Sequence, residues 1–180
     1  MKKVIVACCA ALVLFASCAK DGPKFFQGTY GYKISGSLEC EYVDTVDSVP
    51  QKLSRTLSLA TEQGIMHVEP HGSGMVVTMS ATGSDAYVFE ASVSGTEITL
   101  SPIARKVAVV LETNPKPSES QSSGTVKSVD VTMRGTGYKT NGLMVMDLKC
   151  EGPDFTVESR KDTVTYHITG CDVRCVANME

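Results

Sequence analysis

An all-β fold is predicted by three features of this 180-residue chain. Beyond residue 27, apolar and polar side chains alternate with a period of two, the mark of a strand with one buried face. Clusters of Gly, Pro, Ser and Asp interrupt that alternation at short intervals, as turns do. The composition agrees: Trp is absent, only 6 Tyr and 5 Phe occur, and Thr, Ser, Val and Gly recur throughout. No stretch after the first eighteen residues is both long enough for a helix and periodic at 3.6. About ten or eleven short strands at this spacing predict a single antiparallel barrel, with a β-sandwich as the alternative.

The chain opens with a different kind of segment. Lys2 and Lys3 form a positive start, and Val4 to Phe15 is an uncharged apolar run. That run has the length of a signal-peptide core and falls short of the roughly 20 residues that span a bilayer. Small residues, Ala16 and Ser17, then precede Cys18. Leu14-Phe15-Ala16-Ser17-Cys18 resembles the lipobox of bacterial lipoproteins, with Phe15 where the family usually has an aliphatic side chain. The resemblance implies cleavage before Cys18 and a diacylglycerol thioether, commonly with an amide-linked acyl chain such as palmitate, on that cysteine. Two or three acyl chains hold a protein stably on a bilayer. Cys8 and Cys9 belong to the removed peptide and act there as small apolar residues. Ala19 follows the cysteine in place of the aspartate that retains some lipoproteins at the inner membrane, so the outer membrane is expected. Lys20-Asp21 looks like the beginning of a surface-export signal that lacks its second acid, because Gly22 comes next. Both the periplasmic face and the cell surface stay open.

Removing residues 1–17 leaves a single domain's length, able to bury roughly 70% of its unfolded surface. The leader contains two of the 17 basic groups and none of the acidic ones. The remainder therefore has 15 basic against 20 acidic groups, a charge of −5. A mildly acidic chain without a Lys/Arg cluster excludes nucleic acid as the expected partner. The membrane, through the lipid, is the expected one.

Taken in order, residues 18–26 read as a lipidated tether broken by Gly22-Pro23, and residues 27–180 as the all-β domain. Thr29 to Asp44 is the most regular stretch. Tyr30, Tyr32, Ile34, Leu38, Cys40 and Tyr42 share one face, and Lys33, Ser35, Glu39 and Glu41 the other. A strand of this length exceeds the usual five or six residues and must bend, most cheaply at Gly36. Leu53–Leu59 alternates next, Glu62-Gln63-Gly64 reads as a turn, and Ile65–Glu69 as a short strand. Pro70 to Gly74 reads as a loop. Met75, Val77, Met79 and Ala81 line one strand, and Tyr87, Phe89, Ala91 and Val93 the next. Ser94-Gly95 closes a hairpin. Pro102 is expected to break the strand that begins at Ile98, and Lys106–Leu111 follows it. Residues 112–124 hold two prolines, four serines and no large apolar side chain, so they have nothing to bury. Strands resume at Val126–Met133, Leu143–Cys150, Phe155–Ser159, Val164–Ile168 and Val173–Ala177.

Gly28-Thr29-Tyr30 at the head of a long bent strand, followed by a meander of short ones, resembles the calycin or lipocalin-like barrels. Tyr30 stands where that family typically has Trp. The resemblance implies a closed barrel with an apolar cavity for a small hydrophobic or amphipathic ligand, lined by residues such as Tyr30, Tyr32, Ile34, Met79 and Phe89. A core filled by its own side chains, with the methionines as packing, would instead mark a structural lipoprotein that contacts another envelope protein.

Candidate chemistry is sparse. Cys40, Cys150, Cys171 and Cys175 are the disulfide candidates in an oxidising compartment, with free buried thiols as the other reading. If residues 170–177 are extended, Cys171 and Cys175 lie about 13 Å apart, beyond the ~7 Å reach of a disulfide. Each would then bond outward, one to Cys40 and one to Cys150. His67 and His71 are close in sequence, but Pro70 and the neighbouring glycines rule out the helix on which that spacing holds zinc, so no metal and no cofactor are expected. No Gly-x-Ser-x-Gly, no placeable Ser-His-Asp set and no phosphate-cradling loop occurs, so the expectation is a binding protein and not an enzyme.

Overall fold

Side chains at alternate positions point inward and build one antiparallel sheet that closes on itself. The computed structural model describes residues 22–46, 48–83, 85–111, 125–158 and 163–180. The leader, Cys18 and the serine-rich residues 112–124 lie outside the described residues. A one-turn helix, α1 (Pro23–Phe26), precedes ten strands. These are β1 (Gly28–Val46), β2 (Val49–Ser58), β3 (Glu62–His71), β4 (Gly74–Ala81), β5 (Tyr87–Ser94), β6 (Glu97–Leu111), β7 (Thr125–Thr140), β8 (Leu143–Glu151), β9 (Phe155–Glu158) and β10 (Thr163–Met179).

The sheet runs β2-β1-β3-β4-β5-β6-β7-β8-β10-β9, and β1 also pairs with β10. That last pairing closes a ring of β1, β3 to β8 and β10, with β2 and β9 beside it. The predicted barrel is the architecture. Closure pairs the ring strands with neighbours on both sides over most of their length, while β2 and β9 each pair with a single strand.

The barrel has two storeys. Near its base, β1 pairs with β3 from Gly28 to Ile34; above Gly36 it exchanges that partner for β2, from Ser37 to Val46. Gly36 makes the exchange possible. Its φ is 152°, and a Cβ there would stand 2.1 Å from the Asp172 carbonyl oxygen of β10. Its own carbonyl accepts a hydrogen bond from Leu59 N at 2.8 Å, which fixes the exit of β2. β6, β7 and β10 run through both storeys, whereas β3, β4 and β5 belong to the lower one. The upper storey is held across β2 and β6 by the Leu59–Val109 bridge and the Ala60 N to Ala108 O bond.

The base is plugged. Phe26 of α1 is fully buried, and its carbonyl accepts the Tyr30 hydroxyl at 2.5 Å. Lys139 at the end of β7 donates to Phe25 O and to the Tyr30 hydroxyl, at 2.6 and 2.9 Å. Residues 22–26, read from the sequence as the end of the tether, are thus packed into the domain, and Pro23-Lys24-Phe25-Phe26 is a helical turn where none was expected.

Other boundaries move for identifiable reasons. Glu62-Gln63-Gly64 is not a turn but the start of β3, with Ile34 opposite Glu62 and Tyr32 opposite Gly64. Pro102 does not end a strand: β6 absorbs it in a bulge between Leu100 and Ile103 and continues. β7 extends seven residues past Met133, because Gly135 and Gly137 take inward positions where the Leu148 and Met146 side chains of β8 leave no room for a Cβ. The two predicted strands at the C-terminal end are one strand, β10, whose irregularity opposite Glu39 and Cys40 keeps both halves facing inward.

Candidate functional site

Proline has no N–H to offer a ladder, and at Pro102 the barrel wall parts. β5 and β6 pair only from Ala91–Leu100 to Ser94–Glu97. Beyond that, β6 pairs with β7 from Ile103 onward, and Tyr87 to Glu90 of β5 face β4 alone. The resulting opening sits at the junction between storeys, and four polar side chains converge on it.

Glu62, the first residue of β3, accepts the Tyr32 hydroxyl on Oε1 at 2.8 Å and also accepts the Tyr87 hydroxyl on that oxygen. Its Oε2 takes the Arg105 guanidinium at 2.5 Å. Arg105 Cζ lies over the Tyr87 ring, 3.9 Å from its centre. Only 8% of the Arg105 side chain and 21% of the Glu62 side chain is exposed. Burial pushes the Tyr32 phenol up to about 12 and the Tyr87 phenol higher still. Both therefore stay protonated and donate to the carboxylate.

The network has more donors than acceptors. Glu62 accepts from two phenols and one guanidinium, three of the roughly four acceptor sites of a carboxylate. Arg105 carries five N–H groups in a rigid fork. Among the described residues, one of its terminal nitrogens meets the weak acceptor Met133 Sδ at 3.8 Å, and the buried Nε has no hydrogen-bond partner. Against this fork lies a half-open cavity of about 430 Å³, lined by Ile34, Leu59, Val107 and Met133 as well as the ion pair. On the outer side of the same ion pair, a hollow of about 740 Å³ runs past Asp85, Tyr87 and Lys106 to solvent. A half-open cavity with apolar side chains on one part of its wall and polar ones, Thr61, Gln63 and Thr82, on another can hold a small amphipathic molecule.

The five side chains expected to line a cavity divide. Ile34 lines it and Tyr32 belongs to the polar network. Tyr30 serves the base, while Met79 and Phe89 are buried in the core, Phe89 edge-on to the Tyr87 ring at 5.8 Å. Glu62, Tyr87 and Arg105 were missed. A signal for Arg105 was present, since Ile103, Arg105, Val107 and Val109 share a face of one strand and a charge there must be paired. Glu62 was hidden by reading its tripeptide as a turn.

This chain matches no protein-family model and no curated protein. What it does must be argued from its own residues.

The other singled-out residues lie elsewhere. His67 and His71 are exposed on the extended β3, about 13 Å apart along it, too far to share a metal ion. His67 Nδ1 instead contacts Thr29 Oγ1 at 3.1 Å. All four cysteines are thiols. Cys175 faces Ile34 on β1, six positions from Cys40 and thus about 20 Å along the strand, so a bond between those two is outside disulfide reach. Burial raises Cys40 to about 11 and Cys175 to about 12. Cys171 is extended away from Cys175 as expected, and it lies beside Cys150.

Proposed function

We propose that this protein is a lipid-anchored envelope lipoprotein whose barrel works as a binding module for a small amphipathic ligand. The lipobox-like segment ending at Cys18 supports the anchor, and its Ala19 supports the outer membrane. The half-open cavity beside the Glu62–Arg105 pair, lined by Ile34, Leu59, Val107 and Met133 together with Thr61, Gln63 and Thr82, carries the binding reading. The ligand's apolar body would rest against Ile34, Leu59, Val107 and Met133, and its polar end would face Thr61, Gln63, Thr82 and the Glu62–Arg105 pair. With α1 packed against the base, the tether shrinks to residues 18–21, roughly 14 Å when extended. The opening then works within a short distance of the bilayer.

A rival reading is favoured by one observation. Met66, Met75, Met79, Met133, Met144 and Met146 are all buried, and much of the barrel is filled by such side chains. A structural lipoprotein that contacts another envelope protein would need no more.

Titration with anilinonaphthalene sulfonate, which joins apolar rings to an acceptor group, separates the two. Saturable binding at about one site per folded chain, abolished by filling the cavity with Ala108→Trp, is the expected result. Absence of saturable binding, or binding indifferent to that substitution, selects the filled-core reading.

A further inference from the structure

We infer that Cys150 and Cys171, both thiols in this structure, are placed to form a cross-strand disulfide on oxidation, and that Cys40 and Cys175 remain buried thiols. Val173 of β10 faces Leu148 of β8, and continuing that register by two residues sets Cys171 opposite Cys150. Leu148 and Val173 point inward, so residues two positions on share their face of the sheet. Closeness does not rest on register alone. Cys150 N donates to Cys171 Sγ at 2.8 Å, and the Cys171 thiol reaches Leu148 O at 3.5 Å.

Access and reactivity divide between the two sulfurs. Cys171 is partly exposed, whereas Cys150 is 3% exposed, Cys40 1% and Cys175 0%. The hydrogen bond from the Cys150 thiol, aided by the Cys150 N–H and the nearby Lys149, favours the thiolate of Cys171 over its burial cost. That same pairing holds the Cys150 proton in place. Cys171 is accordingly the attacking sulfur and Cys150 the resolving one.

A small disulfide, such as oxidised glutathione, serves as oxidant. Cys171 releases its proton to water, its thiolate attacks one of the glutathione sulfurs, the S–S bond breaks, and the first glutathione leaves as a thiolate that is protonated from water. Cys150 then yields its proton to the second departing thiolate as its sulfur attacks Cys171 Sγ. Two protein thiols are oxidised to one disulfide, and one glutathione disulfide is reduced to two thiols.

The test starts from the reduced full chain, treated with oxidised glutathione, unfolded in acid, alkylated and mapped without reduction. A single Cys150–Cys171 cross-link, with Cys40 and Cys175 alkylated only after unfolding, is expected. In Cys150→Ser, Cys171 should instead keep one glutathione as a stable mixed disulfide, and Cys40→Ser/Cys175→Ser should leave the cross-link intact. Any bond that involves Cys40 or Cys175, or free Cys150 and Cys171 after treatment of the unaltered chain, overturns the assignment.

Discussion

Arg105 shows how one side chain can shape a site within an otherwise apolar interior. It sits where the barrel would otherwise continue Ile103, Val107 and Val109, and it is tolerated there because Glu62 neutralises it and Tyr87 covers its face. Removing one partner leaves the other uncompensated. Arg105→Met should cost on the order of 2 to 3 kcal/mol, below the ~3–5 of a fully buried pair because Glu62 keeps some contact with water. The double variant Arg105→Met/Glu62→Leu should recover most of that loss, read from urea midpoints. A double variant as unstable as the single one would mean that the ion pair itself, and not its broken half, holds the site together. The phenols add a pH dependence of definite sign. Tyr30 and Tyr32 are raised by burial from 10.0 to about 12 in the fold. Folded chains thus keep protons that unfolded chains release, and the stability present below about pH 10 should fall as pH rises toward 12. Urea midpoints that stay level from pH 9 to about pH 12 would contradict the buried phenols.

Among the elements, β1 and α1 decide most of the geometry. The bend at Gly36 was legible in the sequence because a 15-residue alternation cannot stay straight, and the only glycine on its inner face marked the place. What the bend accomplishes was not legible, since a change of partner from β3 to β2 depends on contacts with distant residues 58 to 62. Gly36→Ala would force a Cβ against the Asp172 carbonyl, and a loss on the order of 2 to 4 kcal/mol is expected, measured by chemical unfolding. A loss under about 1 kcal/mol would show that β1 can exchange partners without the glycine. α1 was invisible for a different reason: a four-residue helix has no periodicity to display, and its stability comes from the burial of Phe26. Phe26→Ala should remove about 3 to 5 kcal/mol and open the base, which hydrogen exchange at Tyr30 and Lys139 would report. The wall opening was half legible. Pro102 announced an interruption, but an isolated sequence could not say whether the strand stops or only loses one neighbour, as it does.

For the whole molecule, the alternating pattern predicted a closed barrel, and the β1–β10 pairing supplies it. The site was less legible because it gathers residues 32, 62, 87 and 105, which only the closed ring brings together. The proposed lipid anchor at Cys18 can be tested separately. Cys18→Ala should leave the protein in the soluble fraction after cell disruption, and retention on the membrane would exclude lipid as what holds it there. The central claim, a barrel that holds a small amphipathic molecule beside the bilayer, is reached most directly by native mass spectrometry of the protein extracted from its own membrane. A bound small molecule in addition to the proposed lipid-modified chain, present in the unaltered protein and missing from Ala108→Trp, is the expected result. A spectrum of bare lipoprotein alone, under conditions that keep it folded, would contradict it.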